Sequence, residues 1–319
     1  MNSTCAASSL ATAEPLAGTA ATATTWLLVE QPGPWGAKAL TESRLAPETG
    51  AALEAAAAGT GVRPALIRRP ARRRLPAGEA PRHRVYAAHT APGNAWVRAA
   101  EVADPRELLG LDLARLGAGH HEGFGRAVAE PLVLVCANGR RDRCCALLGR
   151  PLAAELAEAG GAEVWETTHL GGHRFAPTLL VLPHGYAYGR MTAAALKGVL
   201  DALREGRVAP EGCRGRSCWE RPGQAAELAV RDMTGEEAVD ALRVTATEPA
   251  EGAGGGWEVT VAHADGRAWR AAVAEHPAAV ATPASCGAEP RRQPRLTVTG
   301  IVPLRCRSGS GPASPPNSR

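Results

Sequence analysis

The chain has 319 residues, a formal net charge of +4, 45% hydrophobic and 21% charged residues. These are ordinary globular values, with room for two or three compact domains and a sizeable core. Nearly all of the positive charge is arginine, since Lys38 and Lys197 are the only lysines. No stretch approaches the ~18 uninterrupted apolar residues of a membrane span, and the first twenty residues lack the basic start and apolar run of a signal peptide. The expectation is a cytoplasmic protein with no membrane partner. In such a reducing compartment its eight cysteines serve as metal ligands or buried thiols, not as a disulfide framework.

In chain order, residues 1–125 read as an α/β segment. "WLLVE" is a short apolar strand ended by the turn-rich "QPGPWG", and "PETGAALEAAAAGTG" is a helix with a glycine stop. "PALIRR", "HRVYAAH" and "AWVRAAEV" read as strands, and "PRELLGLDLARLG" as a closing helix. Residues 126–206 repeat that order. "PLVLVC" is the apolar run of a strand buried on both faces, and Asp142 is placed to cap the helix that follows. Pro151 predicts a kink or restart of that helix before "PLAAELAEAGG". "AEVWETT" is a second strand, "PTLLVL" and "YAYGRM" pair as a hairpin across "PHG", and "TAAALKGVLDALREG" keeps Leu196, Val199, Leu200 and Leu203 on one helical face.

A β-α-β-β-β-α order with a terminal hairpin is that of a thioredoxin-like α/β unit, so the fold class expected is α/β with two such units in tandem. Residues 207–224, rich in Gly, Arg and Pro, read as a linker. Residues 225–305 read as a small α+β segment, with "GQAAELAVRDMTGEEAVDALR" helical and "WEVTVAHADGRAWRAAV" and "RLTVTGIVPL" in strands. Residues 306–319 read as a disordered tail.

The chemistry concentrates in "CANGRRDRCC" (136–145) and "HLGGH" (169–173). A lone cysteine in a strand is usually a small core residue, and a lone histidine is usually a satisfied one. Here both stretches leave the same end of neighbouring strands, so their side chains can meet. Gly171 and Gly172 allow backbone conformations closed to other residues, and with them a close approach to a bulky cofactor. A structural zinc site matches the histidine spacing, but the cysteines lie too far apart for the usual knuckle. A [2Fe-2S] cluster spreads its ligands over two irons and tolerates that spacing. Two thiolates on one iron and two imidazoles on the other leave the oxidised centre neutral, which raises its potential above that of a four-thiolate ferredoxin. The free imidazole nitrogen then couples reduction to protonation.

"CANGRRDRCCALLGRPL", "VWETTHLGGHRFAPTLLVLPHGYAYGRM" and "RGRSCWERPGQAAE" resemble the sucrase/ferredoxin-like family. So do "EPLAGTA" and "WLLVEQPGPWG" near the start and "SCGAEPRRQPRL" near the end, so that the resemblance spans about residues 5–300. It implies a thioredoxin-like ferredoxin domain whose [2Fe-2S] cluster is held by Cys136, Cys145, His169 and His173, with Cys144 a non-ligand. It implies electron transfer to a redox partner protein that the sequence does not name. No carboxylate pair supports a glycosidase, whatever the family's name. The alternatives are a thioredoxin-like thiol-disulfide oxidoreductase, opposed by the lack of any C-x-x-C, and a zinc-stabilised interaction module.

Several neighbours complete the expectation. Arg174 and Arg190 are placed to hydrogen-bond near the cluster or steer a partner. By analogy with thioredoxin-like folds, Pro177 is expected to follow a cis bond facing the site, where it would fix the approach of His173. "RRPARRR" (68–74) reads as a solvated loop, with an acidic electron-transfer partner as its other use; without interleaved aromatics it does not predict nucleic-acid binding. His120 and His121 read as surface residues. Cys213 and Cys218 lack a partner pair for a second metal, and Cys5, Cys286 and Cys306 have no assigned role.

Overall fold

The computed structural model describes residues 4–70, 82–251 and 255–304. A short helix, α1 (Cys5–Ala11), opens the chain where no element was expected. The next part follows the anticipated order: β1 (Thr25–Glu30), α2 (Pro47–Ala57), β2 (Val62–Arg68), β3 (His83–His89) and β4 (Trp96–Val102). The expected closing helix is broken in two. Asp104 caps a 3-10 turn over Pro105–Gly110, and Asp112 caps a separate α3 (Leu113–Gly117). Two capping carboxylates eight residues apart each start a turn, which a continuous helix would not accommodate.

After a two-residue strand, β5 (Arg126–Ala127), the order is repeated by β6 (Leu132–Cys136), α4 (Arg150–Ala159), β7 (Glu163–Thr167), β8 (Thr178–Leu182), β9 (Tyr186–Gly189) and α5 (Ala193–Arg204). In both halves the first strand pairs in parallel with the second and antiparallel with the third. The halves meet where Ile67 faces Thr167 and Arg68 faces Glu166, antiparallel, which makes one large mixed sheet. Arg68 seals that seam, 2.6 Å from Glu166 and stacked on Trp35.

Alternation along the strands divides the core. Leu28 of β1 and Leu132, Leu134 and Cys136 of β6 share one buried cluster that runs across the seam with Trp26 and Trp165. Their neighbours point the other way. Leu27 and Val29 pack with Leu53 of α2 and Leu116 of α3, while Val133 and Val135 pack with Leu152 of α4 and Leu196 of α5. Period-2 alternation in a strand buried on both faces therefore sends Cys136 away from the helices.

Residues 207–224 are not a linker. Within them β10 (Cys213–Arg216) pairs with β9 as the edge strand of the large sheet, and Arg214 and Arg216 are fully buried. Arg216 donates to the carbonyls of Thr90 and Val239 and pairs with Asp240, 3.1 Å away. The polar composition that suggested solvent instead serves internal hydrogen bonds. Next comes α6 (Arg221–Thr234), shorter than expected because Gly235 takes a left-handed conformation (φ 66°) and ends it. The residues after Gly235 lead into β11 (Leu242–Pro249), which joins β12 (Trp257–His263) and β13 (Ala268–Pro277). A hairpin of β14 (Thr282–Pro283) and β15 (Pro290–Arg291) precedes β16 (Pro294–Leu304). Strands β11, β12, β13 and β16 form a second antiparallel sheet whose apolar face packs on Ala225, Ala226 and Val230 of α6. The expected disordered tail and Cys306 lie outside the described residues.

Candidate metal centre

Cys136 closes β6, and the chain turns through Ala137–Arg143 into a single π-helical turn, Cys145–Gly149, that runs directly into α4. This turn is the restart predicted from Pro151. Gly149 is required here, because a Cβ would lie 2.1 Å from the Cys136 carbonyl oxygen. Backbone close approach at that point keeps Cys145 beside Cys136. On the neighbouring strand, β7 leads into the histidine loop. Gly171 and Gly172 both have positive φ (79° and 68°), as anticipated. At Gly172 the crowding comes from protein: a Cβ would lie 2.1 Å from the Arg214 guanidinium.

The ligand atoms of Cys136, Cys145 and His169 all lie within 4.8 Å of one another. His173 stands beside them, its ring centroid 5.0 Å from that of His169. Both cysteines are 1% exposed, whereas both histidines are partly exposed. The Nδ1 atoms of His169 and His173 are buried and have no hydrogen-bond partner. Buried polar atoms without partners are uncommon; two imidazole nitrogens beside two thiols are what a bound metal would satisfy. The donor set thus fits a metal group.

The electrostatics match. A hydrogen bond from Cys145 holds the Cys136 thiol well below its usual pKa against the effect of burial, with His169 and the Leu170 amide assisting. Cys145 is correspondingly raised, first by that same bond. Burial lowers the His173 pKa against the pull of Asp142, which keeps the ring neutral and able to ligate. Asp142 lies 3.8 Å from its Nε2, beyond hydrogen-bonding distance, and acts on the ring through its charge.

Two arginines, the half-buried Arg63 and the fully buried Arg214, support the loop and were missed in the sequence. Arg63 donates to the His169 carbonyl at 3.2 Å, and Arg214 donates to the Gly171 carbonyl at 3.1 Å and to Thr19. Burial, then Arg174, lowers the Arg214 pKa to about 10. The signal for Arg214 was present in "RGRSCWERPGQAAE", a segment that carries the resemblance. Arg174 pairs with Glu14 at 2.7 Å, Arg190 donates to Ser9, and both lie over Phe175, so they hold the N-terminal segment. The Ala176–Pro177 bond is cis. In "RRPARRR", Arg68 and Arg69 are used internally, on Glu166 and Trp165; Arg72–Arg74 lie outside the described residues. His121 packs edge-on against Trp96. Cys213 and Cys218 are buried, and burial raises both pKa values to about 12. No helix among the described residues is long and apolar enough to cross a membrane.

The model of the sucrase/ferredoxin-like family matches residues 16–215. A protein of Meyerozyma guilliermondii described as "Altered inheritance of mitochondria protein 32" is 26% identical over 99 residues, 28% of this chain and 35% of that protein. The chain thus matches about a third of that relative's length. No solved structure matches. The matched span contains Cys136, Cys145, His169 and His173.

Proposed function

Because this chain belongs to the sucrase/ferredoxin-like family, we propose that it is a one-electron carrier in which Cys136, Cys145, His169 and His173 hold a [2Fe-2S] cluster. The observation that carries this reading is the pair of unpartnered Nδ1 atoms beside two converging buried thiols. When bound, such a cluster supplies one-electron redox chemistry at a potential above that of four-thiolate ferredoxins. The strand order that each half repeats is read as thioredoxin-like. No glycosidase activity is proposed.

The chain's own residues divide the work by depth. The cysteines sit in the core and exclude water from the sulfur side, and the partly exposed imidazoles form the side nearest a partner. Asp142 faces Nε2 of His173 at 3.8 Å, and the unpartnered Nδ1 is available as the ligand atom. Arg63 and the buried Arg214 place two positive charges behind the loop that bears the histidines. Around the cysteine loop, Arg140, Arg141, Arg143 and Arg150 are exposed, as are Leu147 at 56% and Leu148 at 40%. A basic rim with an apolar centre suits an acidic redox partner protein, whose reduction kinetics should slow as salt rises. Among the described residues seven cysteines are free, which suits a reducing compartment such as the cytoplasm.

Anaerobic purification tests the reading. The expected product is red-brown, holds two irons and two sulfides per chain, and gives an electron paramagnetic resonance signal after one-electron reduction. Cys136→Ala removes iron and colour. His169→Cys with His173→Cys keeps a cluster, lowers its potential and flattens a pH dependence that in the native protein falls between about pH 6 and 9. Colourless protein with zinc in its place, or metal-free protein that reduces insulin disulfides, would support the zinc module or the dithiol enzyme and end the carrier reading.

A further inference from the structure

Cys144, set aside as a non-ligand of the first centre, has company of its own. Its Sγ lies 3.6 Å from that of Cys5 in α1 and 3.2 Å from that of Cys286 in the β14–β15 turn. Cys286 and Cys5 are 3.6 Å apart, which closes the triangle. Both carboxylate oxygens of Asp142 lie 3.7 Å from the Cys5 sulfur. Three segments separated by 137 to 281 residues thus deliver three thiols and one carboxylate to one point.

The charge is unbalanced as it stands. The Asp142 side chain is 1% exposed, and among the described residues its salt-bridge partner is only the His173 imidazole at 3.8 Å. Its oxygens also accept the amides of Cys144 and Cys286, each at 2.8 Å. A buried carboxylate ringed by thiols, with no lysine or guanidinium against it, lacks a cation. A disulfide does not explain the arrangement, because its sulfurs lie about 2.05 Å apart and a third thiol has no part in it. Sulfurs at the corners of a zinc tetrahedron with Zn–S of about 2.3 Å are about 3.8 Å apart, against 3.6, 3.6 and 3.2 Å in the observed triangle.

We propose that Cys5, Cys144, Cys286 and Asp142 form a second metal site that binds one Zn²⁺, independent of the carrier reading. Soft thiolate donors select zinc over the hard cations, and the donor set has the same formal charge as a four-cysteine site. The ion fastens α1 and the β14–β15 hairpin beside the histidine loop. The Ala284 backbone, two residues before Cys286, hydrogen-bonds His173, so the clasp sits directly against the first centre.

Elemental analysis of the full chain, purified anaerobically without added metal, is the test. One zinc per chain is expected, falling at least tenfold in Cys5→Ser and Cys286→Ser. The Cys136→Ser variant should lose iron yet keep its zinc. Because a serine variant can lose both metals by failing to fold, a second measurement uses Cys136→Ser/Cys145→Ser protein, in which the three thiols are intact. Cobalt(II) added to the chelator-stripped form should give intense tetrahedral visible bands and a near-ultraviolet thiolate band, displaced by one equivalent of zinc. Wild-type protein without zinc and without those cobalt bands overturns the proposal. So does zinc content indifferent to Cys5 and Cys286, or a Cys144–Cys286 disulfide in the anaerobic protein's intact mass.

Discussion

Arg214 shows how a single buried cation can organise a site that it does not touch chemically. Its guanidinium reaches Gly171 and Thr19 and packs against Gly172, so it joins the histidine loop, the N-terminal segment and β10. Hydrogen bonds from a charged donor contribute about 1.5–3 kcal/mol each, and carbonyls left unpaired in the interior cost more. Arg214→Met, which preserves much of the volume, is expected to destabilise the protein by about 3 kcal/mol and to reduce bound iron. Urea unfolding with an unchanged slope would measure it. A loss below about 0.5 kcal/mol, the range of ordinary surface changes, would show that the arginine is incidental. Asp142 is a comparable residue. As a helix cap it was readable from its position, but its second oxygen serves Cys286, 144 residues away.

At the scale of elements, the π-helical turn between β6 and α4 is the decisive piece. It lets one strand end and one helix start present Cys136 and Cys145 together, while the adjacent Cys144 points toward α1. Adjacent positions on a helical turn diverge, so the two cysteines enter different clusters. Gly149 is a tight point of this turn. Its φ is ordinary, yet an added methyl group meets the backbone of β6 instead of a movable side chain. Gly149→Ala should therefore push α4 off the strand, cost about 1–3 kcal/mol as an overpacked site, and lower iron content at least twofold. Equilibrium unfolding together with iron analysis would check both; full iron at unchanged stability would mean that the turn yields freely.

For the whole molecule, stability should decline in acid. His184, in the turn between β8 and β9, has its pKa lowered to about 4 by burial and then by Arg216. The unfolded chain binds a proton near pH 6.5 that the folded one refuses until about pH 4. The associated stability is complete above pH 6.5 and is lost as pH falls toward 4, by up to about 3 kcal/mol. His89, lowered by burial and by the same Arg216, acts in the same direction. His184→Gln should flatten this part of the pH–stability curve, read from thermal midpoints between pH 7 and 4. An unchanged slope would place the acid sensitivity elsewhere.

What the sequence determined by itself was local. Apolar runs marked the buried strands, a repeated order of elements marked the two halves, and the spacing of two cysteines and two histidines around a pair of glycines marked one candidate metal centre. Each of these signals lies within a few turns of chain, where periodicity and turn chemistry act. The tertiary structure alone decided the rest. Polar composition at 207–224 suggested exposure because composition reports a residue's affinity for water, not the internal carbonyls that can replace water; the fold supplied those carbonyls to Arg214 and Arg216. Cys5, Cys144 and Cys286 likewise carry no shared spacing. Their meeting depends on where α1 and the β14–β15 hairpin dock, and that is set by packing across the whole chain.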